Sequence, residues 1–345
     1  MNLQSHLIRF TGWFALGLLA QLYSAQACAE DTAQAAARET LNPATQPAPQ
    51  PVPQRAAAEV TTQEEVKGPP LPLHSIEGTG GIFATHTAYL VNPPRNGDLF
   101  GLPAVEATYV NVGRGRFLTA LTATENIAGR VELGFGWEHF DLGDLPEKVQ
   151  QATSLTVHEQ AVDLQNFNVR GLLVKDGDFK QAWVPAVTLG VHYKLNDSET
   201  GINRDLNGTL RNIGITGHEG MDYTLYTTKM IKVLPRPVLV SAGVRASRAA
   251  ELGLLGFTRE YKVTGEGNIG VLATNHLIFA VEFRQKESDF KPIPTLISKE
   301  HDWFTADVAY IVTNRLTVAG GYGYFGQLLN HNANGVFGLK IKWEF

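Results

Sequence analysis

The sequence has very little cysteine, and it lacks long apolar runs beyond its first residues. Its 345 residues include 1 cysteine, Cys28, so disulfide bonds do not build the fold. After Ala29, no apolar stretch reaches the roughly 20 residues that a transmembrane helix needs. The net charge of −5 gives no reason to expect nucleic-acid binding. These absences exclude a disulfide scaffold, a helical membrane protein and a basic nucleic-acid-binding protein.

The first residues have the pattern of a secretory signal peptide. A polar and basic stretch ends at Arg9, and an apolar core and a group of small residues follow up to Ala29. The apolar core is too short to span a membrane, so residues 1–29 are predicted to be a cleaved signal. The cut falls either before Cys28 or after Ala29. A cut before Cys28 would allow a lipoprotein, although Ala25 stands where such a signal usually has leucine.

Residues 30–70 have a biased composition. They are rich in alanine, glutamine, proline and glutamate, and they contain few aromatic residues. Such a segment cannot bury enough apolar surface to fold, so we predict a disordered periplasmic linker. A binding motif for a cell-wall partner within this linker is the alternative.

From residue 71 to residue 345, short runs of alternating apolar and polar residues predominate. The clearest run is the last, where Phe337, Leu339, Ile341 and Trp343 fall on one face. A strict period of two predicts a strand and excludes an amphipathic helix. About ten residues at ~3.3 Å rise, tilted by about 45°, cover roughly 23 Å, close to the apolar band of an outer-membrane barrel.

Loop lengths distinguish this prediction from a soluble β-sandwich or a lipocalin-like barrel, whose strands also alternate. Tight turns near Thr124, Leu234, Thr274 and Thr313 alternate with longer loops. Short turns at one end and long loops at the other are typical of outer-membrane barrels. We therefore predict an all-β, transmembrane, antiparallel up-and-down β-barrel of about 12 strands. The strands are expected near residues 103–112, 115–123, 128–140, 166–175, 182–194, 222–232, 236–245, 264–273, 276–285, 302–311, 315–324 and 335–345.

One further segment, Ile82 to Val91, has strand character without an evident partner. Bacterial single-chain barrels carry even numbers of strands. This segment therefore either pairs with another strand, which gives about 14 strands as the alternative, or lies inside the barrel. Residues 71–102 are accordingly a possible plug or extra strand, and we favour the smaller count.

The last strand resembles the C-terminal signal by which the outer-membrane assembly machinery recognises barrels. Leu339, Ile341, Trp343 and the final residue Phe345 supply its alternating apolar and aromatic positions. In a soluble protein the same residues would be only a final edge strand. Together with the signal peptide, they predict insertion into the lipid of the cell outer membrane, with the assembly machinery as a partner.

Two short motifs carry a resemblance to a known family. Glu77-Gly-Thr-Gly-Gly81 precedes Ala88-Tyr-Leu-Val-Asn-Pro93. This arrangement resembles the opening of an uncharacterised proteobacterial outer-membrane family known as domain of unknown function 3034. The resemblance implies a location in the outer membrane and no particular activity, so no site residue can be transferred.

The candidate functional residues are charged or polar positions that the alternation directs into the lumen. They are Arg130, Glu132, Glu138, His192, Arg245, Glu282, Arg284 and Asp307. A ring of mixed charge can form the constriction of a pore. The alternative is that these charges pair across strands and close a narrow lumen.

No catalytic residue, metal ligand or cofactor is predicted. The histidines lack the paired spacing of a zinc site. His192 and Ser241 are expected to point into the lumen, away from the lipid face where a lipid-acting enzyme needs them. The leading hypothesis is a narrow outer-membrane channel or export-related pore, for which a small solute or a polysaccharide is the candidate cargo. A non-conducting structural or assembly-partner barrel is the first alternative, and a lipid-acting enzyme is the second.

Overall fold

The computed structural model describes residues 73–345 except 95–97, 289, 291, 295 and 330. The predicted signal peptide and linker therefore lie outside the described residues. The main element is an antiparallel sheet of 13 strands. Twelve of them form a ring, and the short strand Ile215–Gly217 is not part of the ring but pairs with Phe257 and Thr258 of one ring strand. The ring strands are β1 Ala104–Gly113, β2 Arg116–Ile127, β3 Val131–Asp141, β4 Ala161–Val174, β5 Ala186–Asn196, β6 Glu219–Ile231, β7 Val238–Ala249, β8 Phe257–Leu272, β9 Leu277–Arg284, β10 Trp303–Ile311, β11 Leu316–Tyr324 and β12 Val336–Glu344.

The ring closes by pairing between its last and first strands. Each strand pairs with the next along the chain, and β12 pairs with β1 through the register Leu339↔Tyr109. Closure satisfies every strand edge, which a barrel in lipid requires because the hydrocarbon offers no hydrogen-bonding partner. The predicted twelve-stranded up-and-down barrel is confirmed, and the alternative of 14 strands is wrong.

Short turns lie at one end of the barrel, and two of them use a repeated local solution. The hydroxyl of Thr274 accepts the N–H groups of His276 and Leu277, at 3.1 and 2.9 Å. The hydroxyl of Thr313 accepts those of Arg315 and Leu316, at 3.2 and 3.0 Å. A threonine side chain therefore closes both turns.

The predicted turn near Thr124 is misplaced. Strand β2 continues to Ile127, and the chain reverses at Ala128-Gly129, whose φ angles are 53° and 62°. Two successive left-handed residues form the type I′ turn that matches the twist of a hairpin, and Gly129 adopts this conformation without steric cost. Arg130 then donates its backbone N–H to the Ile127 carbonyl at 3.0 Å.

The longer loops at the opposite end carry the helices. Helix α1 is Leu145–Thr153, α2 is Glu199–Asp205 and α3 is Thr209–Ile213. Short 3₁₀ helices span Asp178–Lys180, in a connection at the short-turn end, and Ala250–Gly253, between β7 and β8. Two-residue strands pair as Leu73–His74 with Gly80–Gly81, and as Gln327–Leu328 with His331–Asn332. None of the helices among the described residues is long and apolar enough to cross a membrane.

The outer surface of the ring is apolar. Leu339 is 59% exposed, Ile341 56%, Val281 53% and Val169 52%, although all four lie in the middle of strands. Exposed apolar side chains in this arrangement would be costly in water, whereas hydrocarbon accommodates them. Their neighbours along each strand point inward and are mostly buried and polar. The lipid-facing and lumen-facing sides of the wall are therefore clearly distinct.

Candidate functional site in the barrel lumen

The lumen is occupied by residues 73–91, which we call the plug. All of them are buried except Tyr89, which is half-buried. Residues 82–91, the segment without an evident partner, therefore lie inside the barrel and form no strand of the wall. Backbone hydrogen bonds within the plug hold it in a compact turn. The Ile76 N–H donates to the Phe83 carbonyl and the Thr87 N–H donates to the Gly80 carbonyl, both at 3.0 Å.

Glu77 is the centre of the contacts between plug and wall. The Arg245 guanidinium donates to both of its carboxylate oxygens, at 2.8 and 2.7 Å. Lys194 donates to one oxygen, and Arg284 approaches the other at 3.4 Å. His86, also in the plug, lies 3.3 Å from the same carboxylate. A carboxylate 1% exposed is thus surrounded by three cations of the wall.

Two acidic residues of the wall balance these cations. Asp222 lies 2.9 Å from Arg245 and 3.0 Å from Lys194. Glu266 lies 2.8 Å from Arg245 and 3.2 Å from Arg284. Glu77 and these five wall residues, which we call the Glu77 cluster, contain three acids and three bases. Such a buried network is tolerated because its charges are mutually compensated.

Two further carboxylates hold the plug by its backbone. Glu282 accepts the N–H groups of Phe83, Ala84 and Thr85, at 3.1, 3.0 and 2.8 Å. This is the geometry of an anion held by successive backbone amides, with the acidic group supplied by the wall. Charge-assisted hydrogen bonds of this kind are stronger than those between neutral groups, so they fix the position of the plug.

Glu132 holds the plug at two places. Its oxygens accept the N–H of Gly80 at 3.0 Å and that of Val91 at 2.7 Å. Arg170 lies 3.0 Å from the same carboxylate and also donates to the Gly80 carbonyl at 2.9 Å. On another part of the wall, Lys340 donates to the His74 carbonyl and pairs with Glu106.

Glycines on both sides allow the plug to approach the wall closely. Gly78 has φ +80°, and a Cβ there would lie 2.6 Å from the Phe135 carbonyl oxygen. A Cβ on Gly134 of the wall would lie 2.1 Å from the Gly78 carbonyl oxygen. A Cβ on Gly338 would lie 2.2 Å from the Phe83 ring. These positions require glycine because a side chain would displace the plug.

Tyr89 anchors the end of the plug near the short turns. Its hydroxyl donates to Asp176 in the loop between β4 and β5, and Lys229 donates to the other oxygen of that carboxylate. Burial raises the pKa of Asp176, but the hydrogen bonds from Lys229 and Tyr89 outweigh it and hold the pKa below the usual aspartate value. Burial and the neighbouring Asp176 raise the pKa of Tyr89, which stays protonated as a donor.

The structure places seven of the eight predicted lumen residues on the inner wall. These buried residues are Glu132, Glu138, His192, Arg245, Glu282, Arg284 and Asp307. Glu132, Arg245, Glu282 and Arg284 contact the plug directly. His192 lies between Asn168 and Thr224, each at 2.8 Å. Glu138 accepts from Asn166 at 2.6 Å, and Asp307 accepts from Thr305 at 2.7 Å.

The prediction is wrong for Arg130. This residue is exposed beside the Ala128-Gly129 turn, and its guanidinium donates to the Leu172 carbonyl at 3.2 Å. The alternation gives Arg130 the correct side for an inward residue, but the strand begins only at Val131. Arg130 therefore lies beyond the end of the lumen.

Sequence reasoning missed several residues of the site. Arg170, Lys194, Asp222, Glu266 and Lys340 occupy inward positions of strands that were themselves predicted, so continuing the alternation along those strands would have found them. Glu77 had no such signal, because it lies outside every strand.

The predicted assembly signal faces outward. Leu339, Ile341 and Trp343 are 59%, 56% and 39% exposed, and the N–H of Phe345 donates to the Pro103 carbonyl at 3.1 Å. Recognition of these residues by the assembly machinery stays a prediction.

The candidate enzyme pair does not meet. The Ser241 hydroxyl lies 2.7 Å from that of Thr228, whereas the two ring nitrogens of His192 are hydrogen-bonded to Asn168 and Thr224. Among the residues that the structure describes, no group of three or more His, Cys, Asp or Glu side chains is arranged to hold a metal ion.

The chain belongs to the family described as "Protein of unknown function (DUF3034)", whose model matches residues 73–338, from the start of the plug into β12. No curated protein sequence matches the chain. Among solved structures, it is similar to the KdgM porin, with 9% identity, a TM-score of 0.43 and coverage of 70% of this chain and 99% of that one.

Two other solved barrels are similar to a comparable extent. The NanC porin has 10% identity and a TM-score of 0.43, with coverage of 70% of this chain and 98% of that chain. The outer-membrane protein Omp33 of Acinetobacter baumannii has 10% identity and a TM-score of 0.38, with coverage of 72% and 99%.

Proposed function

We propose that this DUF3034 outer-membrane barrel is a channel that the plug closes at rest, and that it passes small polar solutes when the plug is displaced. The observation that carries the proposal is a closed ring of strands whose inner face carries many buried charged and polar side chains, filled by a segment that is no part of that ring. The outward apolar band supports residence in the outer membrane, with lipid as the surrounding partner. Export by a cleaved signal at residues 1–29 is part of this proposal.

The plug can leave without breaking the barrel. The twelve ring strands pair only with one another and with the short strand Ile215–Gly217, so the ladder contains no residue of the plug. The hydrogen bonds between plug and wall described above all involve a side chain, and water can replace them one by one. The chain enters β1 at the short-turn end, where Gly101 N–H donates to the Asn126 carbonyl at 2.7 Å. This end is therefore the exit for the plug.

The wall that remains is hydrophilic and nearly neutral. Its buried charged side chains, seven acids and seven bases, are Glu106, Arg116, Glu132, Glu138, Arg170, Lys194, Asp222, Arg245, Glu266, Glu282, Arg284, Asp307, Lys340 and Lys342. A barrel filled permanently would be at least as stable with an apolar interior, because buried ion pairs seldom exceed their desolvation cost. A wall of this kind suits an interior that is wet for part of the time. Its mixed charge favours neutral or zwitterionic polar solutes, including a saccharide, over ions of one sign.

The non-conducting barrel is the second candidate, and the compensated Glu77 cluster is the observation that favours it. Because these charges compensate one another fully, the closed state needs no further charged partner. In this reading the plug is a permanent filling and the barrel is a structural or assembly-partner element of the envelope.

Planar-bilayer recordings separate the two candidates. The test variant is Glu132→Gln combined with Glu282→Gln, because these carboxylates hold the plug backbone without being part of the Glu77 cluster. We expect rare openings in the wild type and frequent openings in the double variant, together with uptake of a neutral sugar into liposomes. Glu260→Gln, at an exposed position of β8, is the matched control. If the double variant folds, exposes its plug to proteolysis and still does not conduct, the channel proposal fails.

A further inference from the structure

Two arginines lie on the outward face of the wall near the long-loop end. Arg248 is close to the end of β7, and Arg259 is close to the start of the neighbouring β8. The outward positions of β7 from Val240 to Ala246 are all valine or alanine, so Arg248 follows an apolar stretch on the same face. The lipid-facing surface of an outer-membrane barrel is normally apolar, so charged side chains there need an explanation.

The height of Arg248 places it at the outer boundary of the apolar band. Val238 begins β7 at the short-turn end, and Arg248 stands ten positions further along the strand. At ~3.3 Å rise per residue and a tilt of about 45°, these positions cover about 23 Å across the membrane. The apolar band of such a barrel is about 25 Å tall. Arg248 therefore lies where the hydrocarbon ends and the lipid headgroups begin.

Two tyrosines join the arginines on this face. The Arg248 guanidinium lies over the Tyr261 ring, 5.4 Å from its centroid, and this stacking holds the guanidinium in place. Tyr223 of β6 packs against Tyr261, with ring centroids 5.9 Å apart. Tyr261 is 47% exposed and Tyr223 is 45% exposed, so both rings border the lipid. We call Tyr223, Arg248, Arg259 and Tyr261 the basic patch.

The positive charge of the basic patch has no counter-charge in the protein. Within the described part of the chain, neither Arg248 nor Arg259 forms an ion pair. By contrast, Asp163, an outward acid near the same end of the barrel, lies 2.8 Å from His139. Glu260, next to Arg259 in the chain, belongs to the opposite face of β8 because side chains alternate along a strand. The basic patch therefore offers charged hydrogen-bond donors to a ligand from outside the protein.

The lipid-facing surface below the basic patch is lowered. Between Val263 and Ile269, which are 64% and 47% exposed, the two outward positions of β8 are Gly265 and Gly267. A Cβ on Gly265 would meet only the side chain of Gln285, at an ordinary 3.6 Å. The space at Gly265 would thus accept a side chain, and its absence leaves a depression. An acyl chain can fill such a depression by van der Waals contact.

We propose that the basic patch binds the phosphate of a phosphorylated lipid in the outer leaflet, whose acyl chain lies in the depression below it. A phosphate monoester carries about −1.5 to −2 charges at pH 7, which two guanidinium groups balance. The planar guanidinium also donates paired hydrogen bonds to phosphate oxygens. The inference goes beyond the proposed channel function, because the lipid lies outside the barrel and its binding needs no displacement of the plug. A failure to bind would leave that function untouched.

Native mass spectrometry of the full chain in detergent tests the proposal. The probes are lipid A, which is a bisphosphorylated glycolipid, the same lipid with both phosphates removed, and inorganic phosphate alone. We expect saturable binding of one lipid A, about ten-fold tighter than that of the dephosphorylated lipid. Arg248→Gln combined with Arg259→Gln should abolish this preference. Arg236→Gln, at an exposed arginine of the short-turn end, should preserve it.

Four outcomes would overturn the proposal. Equal affinity for the two lipids would show that the phosphate is not recognised, and this comparison needs the wild type alone. A preference that persists in the folded double variant would place the site elsewhere. An equal loss in Arg236→Gln would indicate general charge attraction. Inorganic phosphate bound as tightly as lipid A would assign the basic patch to free phosphate instead of a lipid.

Discussion

Neutralising Glu77 is the most direct perturbation of the plug. Glu77→Gln keeps the size of the side chain and removes one negative charge from a cluster of three acids and three bases. The closed state then contains an uncompensated buried cation among Lys194, Arg245 and Arg284. In the displaced state that the proposed function requires, water would hydrate the same cations. The substitution therefore destabilises the closed state selectively.

The size of the effect follows from the burial of the pairs. Removing one partner of a buried ion pair typically costs about 3–5 kcal/mol. We expect the lower value, about 3 kcal/mol, because Glu138 interacts electrostatically with Lys194 and can supply part of the missing negative charge. At 1.36 kcal/mol per tenfold change, the population of the displaced state should rise roughly 10²-fold.

A thiol in the plug reports this population. Ser75→Cys is nearly isosteric and lies at a position that is 0% exposed, and Cys28→Ser removes the only other thiol. Labelling by a water-soluble methanethiosulfonate should be slow in this background. Adding Glu77→Gln should accelerate it roughly 10²-fold, in parallel with more frequent openings in bilayers.

Equal labelling rates with and without Glu77→Gln would refute the reasoning. The exposed Glu260→Gln substitution controls for loss of a carboxylate in general. Glu77→Gln combined with Glu138→Gln removes the compensating acid and should accelerate labelling further. If the double substitution has no additional effect, the argument from charge compensation is wrong, although Glu77 itself could still hold the plug.

Three further outcomes are expected. Gly338→Ala should crowd the plug ring and destabilise the closed barrel by about 1–3 kcal/mol in thermal unfolding, whereas Gly320→Ala, where the added carbon makes only ordinary contacts, should not. The lowered pKa of Asp176 implies stability that is present above the usual aspartate pKa and lost as pH falls through the folded-state value, so wild type and Asp176→Asn should differ at pH 7 and converge in acid. Phe345→Ser should reduce the amount of barrel in the outer membrane while refolding in detergent is unchanged; an equal loss in Phe337→Ser would argue against a terminal signal.

The barrel could be predicted from the sequence because strand periodicity is local. Phe337 to Trp343 alternate within one strand, and the tight turns at Thr274 and Thr313 carry their own closing hydroxyl groups. The sequence places this reversal at Thr124, because Thr124 begins a tripeptide similar to those at Thr274 and Thr313. The left-handed pair that forms the turn, Ala128-Gly129, lies further along the chain. Local pattern fails where two turn signals compete.

The sequence leaves open whether residues 71–102 are a plug or an extra strand, because the partners of the plug are remote in sequence. Glu77 and Arg245 are 168 residues apart, and Phe83 and Glu282 are 199 apart. Nothing near Glu77 distinguishes it from a solvated loop carboxylate. Its burial depends on the closed ring, which brings the three wall cations around one point.

The glycine-rich motif that carries the family resemblance now has a physical explanation. In Glu77-Gly-Thr-Gly-Gly81, the acid supplies the charge that the wall cluster lacks, and Gly78 lets the backbone approach Phe135 where no Cβ fits. Charge and close approach depend on each other, since the carboxylate reaches its cations only when the chain lies against β3. The motif therefore holds the plug against the wall, and any opening of the proposed channel must offset these contacts.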